Sequence, residues 1–582
     1  MNQRVPAKAE VNQAIASIFN EIADLLEIEE ANPFRVRAYR NAARVIDGLV
    51  EGVDAMIARG ADLTRLPAIG VDLAAKMREI VETGTCAMLA RLRGEVLPAT
   101  VQLLQLPGLG PKRARALQHE LGIATLDDLA AAAQAHRIQA LHGFGAKTEA
   151  RLLTAVGAHL DRNRRFGLDV AKPCAEALMR YLRAGGSVEE LVVAGSYRRG
   201  RDTVGDLDLL ATARHPIEVM RQFAAYDQVA TTISSGTTRA SAVLKNGMQV
   251  DLRVVRPAAF GAALVYFTGS KAHNVALRKL AQAQGLKINE YGVFRDTSRL
   301  AGQTEASVYQ AVGLPWICPE LREDRGEIEA ARNGTLPCLV EVADLRGDLH
   351  VHTSESDGTA SLEEMAQEAR RRHLHYIAIT DHSPHLGIAH GLTASRLAAQ
   401  GDAIDRFNAE HDGAPLLLKG IEVDILEDGS LDLPDAVLGR LDLVVGAIHS
   451  HFDLPGDKQT ARILRAIEHP HFSILAHPFG RLLGRRDACD IDLPRILRAL
   501  AERGSFIEVN AQPSRLDLSD SGCELAKAAG VLVSIASDAH RPADFGNLPF
   551  GVIQARRAWM EPKHVLNART LPKLREMLRK TL

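Results

Sequence analysis

The sequence predicts a multidomain α and α/β protein: helical at the N-terminus, mixed strand and helix in the middle, and a barrel-like α/β region at the C-terminus. Three observations predict it. Apolar residues recur at helical spacing over 10–60, with Gly-turn hairpins repeating around and after that stretch. Short β-rich runs begin near residue 188. Seven apolar strand-like runs then alternate with helical stretches after about residue 343. At 582 residues the chain exceeds one core, and about 150 residues per domain gives roughly four domains.

Hydrophobic residues make up 46% and charged residues 24%, an ordinary globular balance. No apolar run approaches the ~20 residues of a membrane span. The polar start MNQRVPAKAEVNQ lacks the apolar core of a secretion signal. The expectation is a cytoplasmic protein with no membrane partner. Six cysteines, at 86, 174, 318, 338, 489 and 523, show neither paired disulfide spacing nor a CxxC zinc pattern. The net charge of −2 hides an asymmetry. Residues 1–300 carry 39 Lys+Arg, 31 Asp+Glu and 6 His, and the remainder 31, 41 and 15. A basic half followed by a His- and acid-rich half points to a nucleic-acid surface joined to a metal site.

VNQAIASIFNEIADLLEI and NPFRVRAYRNAARVIDGL read as the first helices. Three segments then share one design: LPAIGVDLAAK (66–76), LPGLGPKRARAL (106–117) and LHGFGAKTEARL (141–152). Each has a turn closed by Gly70, Gly110 or Gly145, with Gly108 and Gly143 earlier in the second and third, and then a helix. Glycine permits positive φ and close backbone approach. The free N–H groups of the following helix suit a phosphate. One copy would be equally an ordinary αα-hairpin; three favour a grip on DNA backbone that reads no bases. The segments resemble the helix-hairpin-helix motif. The third departs from it, with Glu149 where the others have Ala74 and Ala114.

VAGSYRRGRDTVGDLDLL (193–210) runs from a strand into Gly195-Ser196, then Arg198 and Arg199, then Asp206 and Asp208. Residues two apart on a strand face one side. Asp206 and Asp208 therefore point together, and Asp251 in MQVDLRVV adds a third carboxylate from another strand. Three such carboxylates make a hard-oxygen site for Mg²⁺ or Mn²⁺, as nucleotidyl transfer requires. Ser196, the Gly195–Ser196 backbone and Arg199 are placed to hold a triphosphate. An isolated Asp-x-Asp is usually only a loop or exposed strand.

With its neighbours this segment resembles the nucleotidyltransferase palm of the DNA polymerase beta superfamily. YFTGSKAHNVALR (266–278) resembles that family's nucleotide pocket. The resemblance implies Tyr266 and Phe267 beside the sugar, Gly269 where the chain approaches the base, Asn274 on the base's minor-groove edge and Arg278 toward the template. Lys271 stands where relatives often carry Asp. LKINEYGVFR and LPWICPELRE resemble the family's last subdomain. The N-terminal segment resembles the small lyase domain of polymerase beta, in which a lysine of lowered pKa forms a Schiff base. The matching position is Lys76, with Tyr39 in support, although Asp72 and Arg35 replace family lysines. An ordinary solvated helix lysine is the competing reading.

The C-terminal half has RGDLHVHTSESDGT (346–359), TDHS, KGIEVD, GAIHSH, LAHP and SDAH, each expected at a strand's C-terminal end. That is where α/β barrels place their sites. The pattern resembles the PHP phosphoesterases, which bind three metal ions. The resemblance implies His350, His352, Asp357, His382, Glu422, His449, His477, Asp538 and His540 as ligands, with Glu422 bridging two ions. Mixed imidazole and carboxylate ligands suit Mn²⁺ or Zn²⁺. Asp381 and His451 are expected to orient ligands.

Together these resemblances cover nearly the whole chain. They imply a lyase-like helical domain at 1–90, a second helix-hairpin-helix domain at 91–165, the palm at 166–262 and a nascent-base-pair subdomain at 263–325. A linker at 326–342 and a distorted (β/α)7 PHP barrel at 343–582 complete the chain. The implied protein is a bacterial-type family X DNA polymerase that fills gaps in repair, with a metal-dependent 3′→5′ exonuclease. Abasic-site cleavage and 3′-end phosphatase activity are further PHP chemistries. Its partners are gapped, nicked or primer–template DNA and dNTPs, and it acts as a monomer. Three alternatives stand: a purely structural PHP domain, a small-molecule phosphatase and a non-catalytic DNA end-binding scaffold.

Overall fold

The computed structural model describes residues 8–28, 31–47, 49, 52–95, 109, 111–123, 125–141, 144–145, 148–149, 152 and 165–582 except 412 and 414. Gly108, Gly110 and Gly143 lie outside the described residues. The chain divides into two compact units, Met1–Arg164 and Arg165–Leu582.

In the first unit, helices Lys8–Ile28, Pro33–Asp47, Val53–Ala58, Val71–Thr83 and Ala87–Glu95 bury one apolar core. Phe19 meets Tyr39 edge-on at 5.4 Å within it. Helices Pro111–Leu121 and Leu126–Gln134 form a second core around Leu117, Leu129, Ile138 and Phe144. Thr125 starts the latter helix by accepting from Asp128 N (3.0 Å), while Asp128 accepts from Thr125 N (2.8 Å). The departure at Glu149 has a structural reason. Its buried carboxylate accepts from Ile138 N and Gln139 N, both at 2.9 Å, and meets His136 Nδ1 at 2.8 Å.

The second unit opens with β1 (Phe166–Gly167), β2 (Val188–Val193), β3 (Thr203–Val204), β4 (Asp206–Ala213), β5 (Val229–Ser235), β6 (Arg239–Leu244) and β7 (Gln249–Val254). Five of these form a sheet of order β2-β4-β7-β6-β5, in which β4 and β7 run parallel. Helices Leu168–Ala184 and Pro216–Ala224 bury their apolar residues in its core. VATTISS (β5) is exposed along nearly its whole length and lacks an apolar run, so periodicity does not mark it as a strand, although four of its seven residues are β-branched. Next come helices Phe260–Thr268 and Lys271–Ala283, a small sheet of β8 (Lys287–Asn289), β9 (Gly292–Arg295) and β10 (Ser298–Ala301), and helix Glu305–Gln310.

All seven expected C-terminal runs are strands: β11 (Gly347–Val351), β12 (Tyr376–Ile379), β13 (Leu416–Asp424), β14 (Leu443–Ala447), β15 (Ile474–Leu475), β16 (Phe506–Asn510) and β17 (Val533–Ala536). They pair in parallel in sequential order. The ring is nearly closed by a Val351–Ala539 bridge and by His352 N donating to Ala539 O at 2.9 Å. Asn567 spans the same seam, its side-chain amide donating to Gly347 O and Ile535 O, both at 2.7 Å.

The segment expected as a linker, 326–342, is a packed connection. It holds helix Glu327–Arg332, whose buried Glu327 meets the buried His273 at 2.6 Å. Leu339 and Val340 enter neighbouring apolar cores. Leu516 and Phe550 from the barrel join the core of the five-stranded sheet. Among the described residues no helix is long and apolar enough to cross a membrane.

Candidate functional site

The pairing of β4 with β7 sets Asp208 directly opposite Asp251, and Asp206 lies two residues along the same face. Each offers an oxygen within 4.8 Å of the others, a grouping able to hold a cation. Asp251 is fixed by the Ser241 hydroxyl and by Gln249 Nε2 at 3.0 Å. Burial, then the charges of Asp206 and Asp251, push Asp208 up to about 7. Crowded carboxylates of this kind fit a divalent ion, which removes their repulsion.

Gly195 packs against this cluster with φ +63°, and a Cβ there would lie 2.5 Å from Asp208 Oδ2. Only glycine fits. Ala194 N donates to Asp208 O at 2.7 Å, which ties the Gly195-Ser196 turn to the carboxylate strand. Arg198 faces away from the cluster: it forks onto Glu305 at 2.7 and 2.8 Å. Arg199 donates to Thr268 O (2.5 Å) and Glu323 (3.1 Å). Gly269, φ +68°, keeps its Cα beside the Arg199 guanidinium. Tyr266 is exposed and meets Phe267 edge-on at 5.1 Å, and the Arg253 guanidinium lies 4.5 Å over Phe267. Asn274 Nδ2 donates to Tyr266 O (2.8 Å), and Arg278 Nε to Asn274 O (3.2 Å). Sequence reasoning missed Ser241, Glu305 and Glu323, whose partners lie 10 to 124 residues away.

Lys76 is held differently from what Schiff-base chemistry needs. Its ammonium donates to Asp72 and adjoins Tyr39; burial opposes the charge, but Asp72 and Tyr39 keep its pKa raised. Gly70 corrects another expectation: its φ is −89°, and the positive φ in that turn belongs to Ala68. A Cβ on Gly70 or Gly145 would meet nothing within 4 Å, so these glycines leave open approach to the backbone.

The barrel brings the nine expected residues together, eight of them in groups able to hold an ion and His477 beside Glu422. Three overlapping groups could each hold an ion: His352, Asp357, His382 and His540; His350, His352 and Asp538; and His382, Glu422 and His449. Glu422 is central. Its Oε2 faces His382 (3.0 Å), His350 (3.3 Å) and His352 (3.5 Å), while Oε1 faces His477 (2.9 Å) and His449 (3.2 Å).

His350 Nε2, both His352 ring nitrogens, His382 Nδ1 and His477 Nδ1 are buried without a hydrogen bond. Such orphaned acceptors fit metal ions. Burial and the neighbouring His540 and His382 push His352 down to about 3, which leaves it a neutral ligand. Burial opposes charge on His382 and His540, but Glu422 and Asp357 hold the first up to about 10, and Asp357 and Asp538 the second up to about 9.

Supporting groups went unseen in the sequence. Glu508 accepts from His350 Nδ1 (2.6 Å) and His477 N (2.8 Å), and Asp424 pairs with His449 Nδ1. Carboxylates behind ligand imidazoles fix their tautomer and orientation. Asp381 accepts from Thr353 and Ser356, in the loop that leads to Asp357. His451 is half-exposed and faces Glu427 at 3.8 Å.

Four family models match this chain: a helix-hairpin-helix domain over 10–86, a SAM-like helix-hairpin-helix tandem over 101–157, the DNA polymerase beta thumb over 263–323 and the PHP domain over 348–512. The chain is 37% identical to the DNA polymerase/3′-5′ exonuclease PolX of Bacillus subtilis (strain 168), over 97% of this chain and 99% of that protein. The chain belongs to the PolX family. Proteins named probable phosphatases, from Thermoanaerobacter sp. (strain X514) and Caldanaerobacter subterraneus, are each 32% identical over 40% and 38% of this chain and 94% and 86% of their own lengths. The PHP match stops at residue 512, yet this PolX chain brings Asp538 and His540 into the cluster through β17 and the ring closure.

Proposed function

We propose that this chain is a DNA-directed DNA polymerase that fills gaps during repair and trims DNA through a 3′→5′ exonuclease in its PHP barrel. The observation that carries the reading is the coexistence of two separate acid clusters: three carboxylates on paired palm strands, and eight His/Asp/Glu residues in metal-capable groups of a parallel barrel, with His477 beside them on Glu422. The full-length likeness to a named polymerase/exonuclease supports it.

In the palm, Asp206, Asp208 and Asp251 would hold Mg²⁺ or Mn²⁺. In the barrel, His350, His352, Asp357, His382, Glu422, His449, His477, Asp538 and His540 would hold three Mn²⁺ or Zn²⁺ ions. Bound divalent ions supply charge neutralisation on phosphate and a water of lowered pKa. The chain's own groups do the rest. The Gly195–Ser196 backbone, the Ser196 hydroxyl and Arg199 cradle the dNTP triphosphate. Tyr266 and Phe267 bound the sugar, and Gly269 admits the base. Asn274 and Arg278 line its minor-groove and template sides. Glu508 and Asp424 hold imidazoles in the orientation that ligation needs. The Gly70 and Gly145 turns present backbone to gapped, nicked or primer–template DNA. A monomer in the cytoplasm is the working state.

The test uses labelled primer on gapped DNA with Mn²⁺, with and without dNTPs. Extension should disappear only in Asp208→Ala and trimming only in His350→Ala. Trimming that survives His350→Ala would return the barrel to a structural role.

A further inference from the structure

We infer that Arg557, in the PHP half, is a positioning residue of the polymerase nucleotide site. This rests on the reading above that Arg199 holds the triphosphate. Arg557 closes the helix Leu548–Arg557 and its side chain is 1% exposed. One of its nitrogens, Nη1, donates to the Arg199 carbonyl at 2.7 Å and also to Glu323 at 3.0 Å. Glu323 is the carboxylate that receives Arg199 Nε at 3.1 Å. The same barrel side chain thus holds both the backbone of Arg199 and the partner of its guanidinium.

The other end of Arg557 is anchored within the barrel. Nη2 donates to Asp520 at 2.8 Å, and Asp520 also receives Arg325 at 3.1 Å. One turn earlier on the same helix, Ile553 presses on Gly200, where a Cβ would lie 2.0 Å from Ile553 Cγ2. The contact falls on the residue after Arg199, in the chain leading from Gly195-Ser196.

The physics favours a positioning role. Two arginines share one carboxylate, so removing Arg557 leaves Glu323 with a single cation and Arg199 without its carbonyl anchor. A buried guanidinium fork fixes direction as well as charge. Released from it, Arg199 keeps its bond to Glu323 but loses the fixed backbone and the fixed carboxylate that set the direction of its guanidinium toward a phosphate. The loss falls on nucleotide binding more than on the carboxylate chemistry, because Arg199 reaches Asp208 only as a lesser charge effect, behind burial and the charges of Asp206 and Asp251.

The experiment is single-nucleotide gap filling by the full chain, with KM for dNTP and kcat measured separately, in Arg557→Met, Arg557→Lys, Glu323→Gln and Arg199→Ala. Arg557→Met should raise KM about tenfold with kcat nearly unchanged. Arg557→Lys, which keeps the charge but loses the fork, should fall between and also serves should Arg557→Met not fold. The double variant Arg557→Met with Glu323→Gln should raise KM no further than the larger single effect. Single-stranded 3′→5′ trimming by the same preparations reports on the barrel. Equal loss of trimming and extension would make Arg557 merely structural and overturn the inference. An unchanged KM in both Arg557 variants, while Arg199→Ala raises it, would also overturn it and leave the proposed function intact. An unchanged KM in Arg199→Ala would instead remove Arg199 from the nucleotide site and the inference with it.

Discussion

Asp208 answers to two demands at once, burial against a glycine and proximity to two like charges. Its pKa near 7 makes a proton compete with a cation at the palm. Cation binding therefore releases a proton below about pH 7, and apparent Mg²⁺ affinity falls up to about tenfold per pH unit below that point. Calorimetry in two buffers of different ionisation enthalpy should show proton release near about pH 6 and little near about pH 8. In the barrel, Glu508 touches His350 and His477 but stands on a strand that shows no motif. Glu508→Gln should weaken Mn²⁺ binding about 10- to 100-fold and slow trimming, with added Mn²⁺ restoring part of the rate. Titration of the ion with trimming as readout checks this, and extension should not change.

At the scale of elements, the turn before helix Val71–Thr83 leaves Gly70 in open space at a helix start that no side chain caps. Gly70→Asp should fold normally, because its Cβ meets nothing. It should weaken gapped-DNA binding about tenfold by placing an anion where phosphate approaches. Fluorescence anisotropy beside circular dichroism separates the two effects. Glu305 carries a different load. It receives Arg198 and the fully buried Arg322, both at 2.7 Å. Burial raises its pKa, but the two arginines overcome this and hold it near 2. A depressed carboxylate stabilises fully above its ordinary value of about 4.5, and that stabilisation is lost as pH falls through about 2. Glu305→Gln should cost about 3–5 kcal/mol near neutral pH by stranding Arg322, and the gap from the parent should narrow below about pH 4.5. Urea unfolding at two pH values measures it.

At the scale of the whole molecule, the palm borrows core from the barrel through Leu516 and Phe550. A fragment ending at residue 342 uncovers that surface and should lose about 3–6 kcal/mol, the burial of two large apolar side chains. A lower melting temperature or aggregation on gel filtration is the expected result. Charge is also distributed more finely than the two-halves reading implies. Residues 1–164 carry 20 Lys+Arg and 19 Asp+Glu, whereas 165–300 carry 19 and 12. The hairpin unit is nearly neutral as a whole, and the basic excess of the first 300 residues lies in 165–300.

The seven barrel strands, the Asp206-x-Asp208 strand with Asp251, and the clustering of His and acid residues at the barrel strand ends were legible in the sequence, while the choice of nine ligand positions among them came from the resemblance to PHP phosphoesterases. Their signals are local: an apolar run ending in His or Asp, or two carboxylates two residues apart. β5 was not legible, because an exposed polar edge strand has no apolar pattern to show. Nor were the packing of residues 326–342, the Asp72 clasp on Lys76, the Glu508 and Asp424 supports, or the network from Arg199 through Glu323 to Arg557. The last joins residues 124 to 358 positions apart. What the sequence by itself determined is where most elements form and which motif residues could do chemistry, since periodicity and spacing act over a few residues. What only the tertiary structure decided is which charges meet, because burial and the pairing of distant segments set both the partners and the protonation of each group.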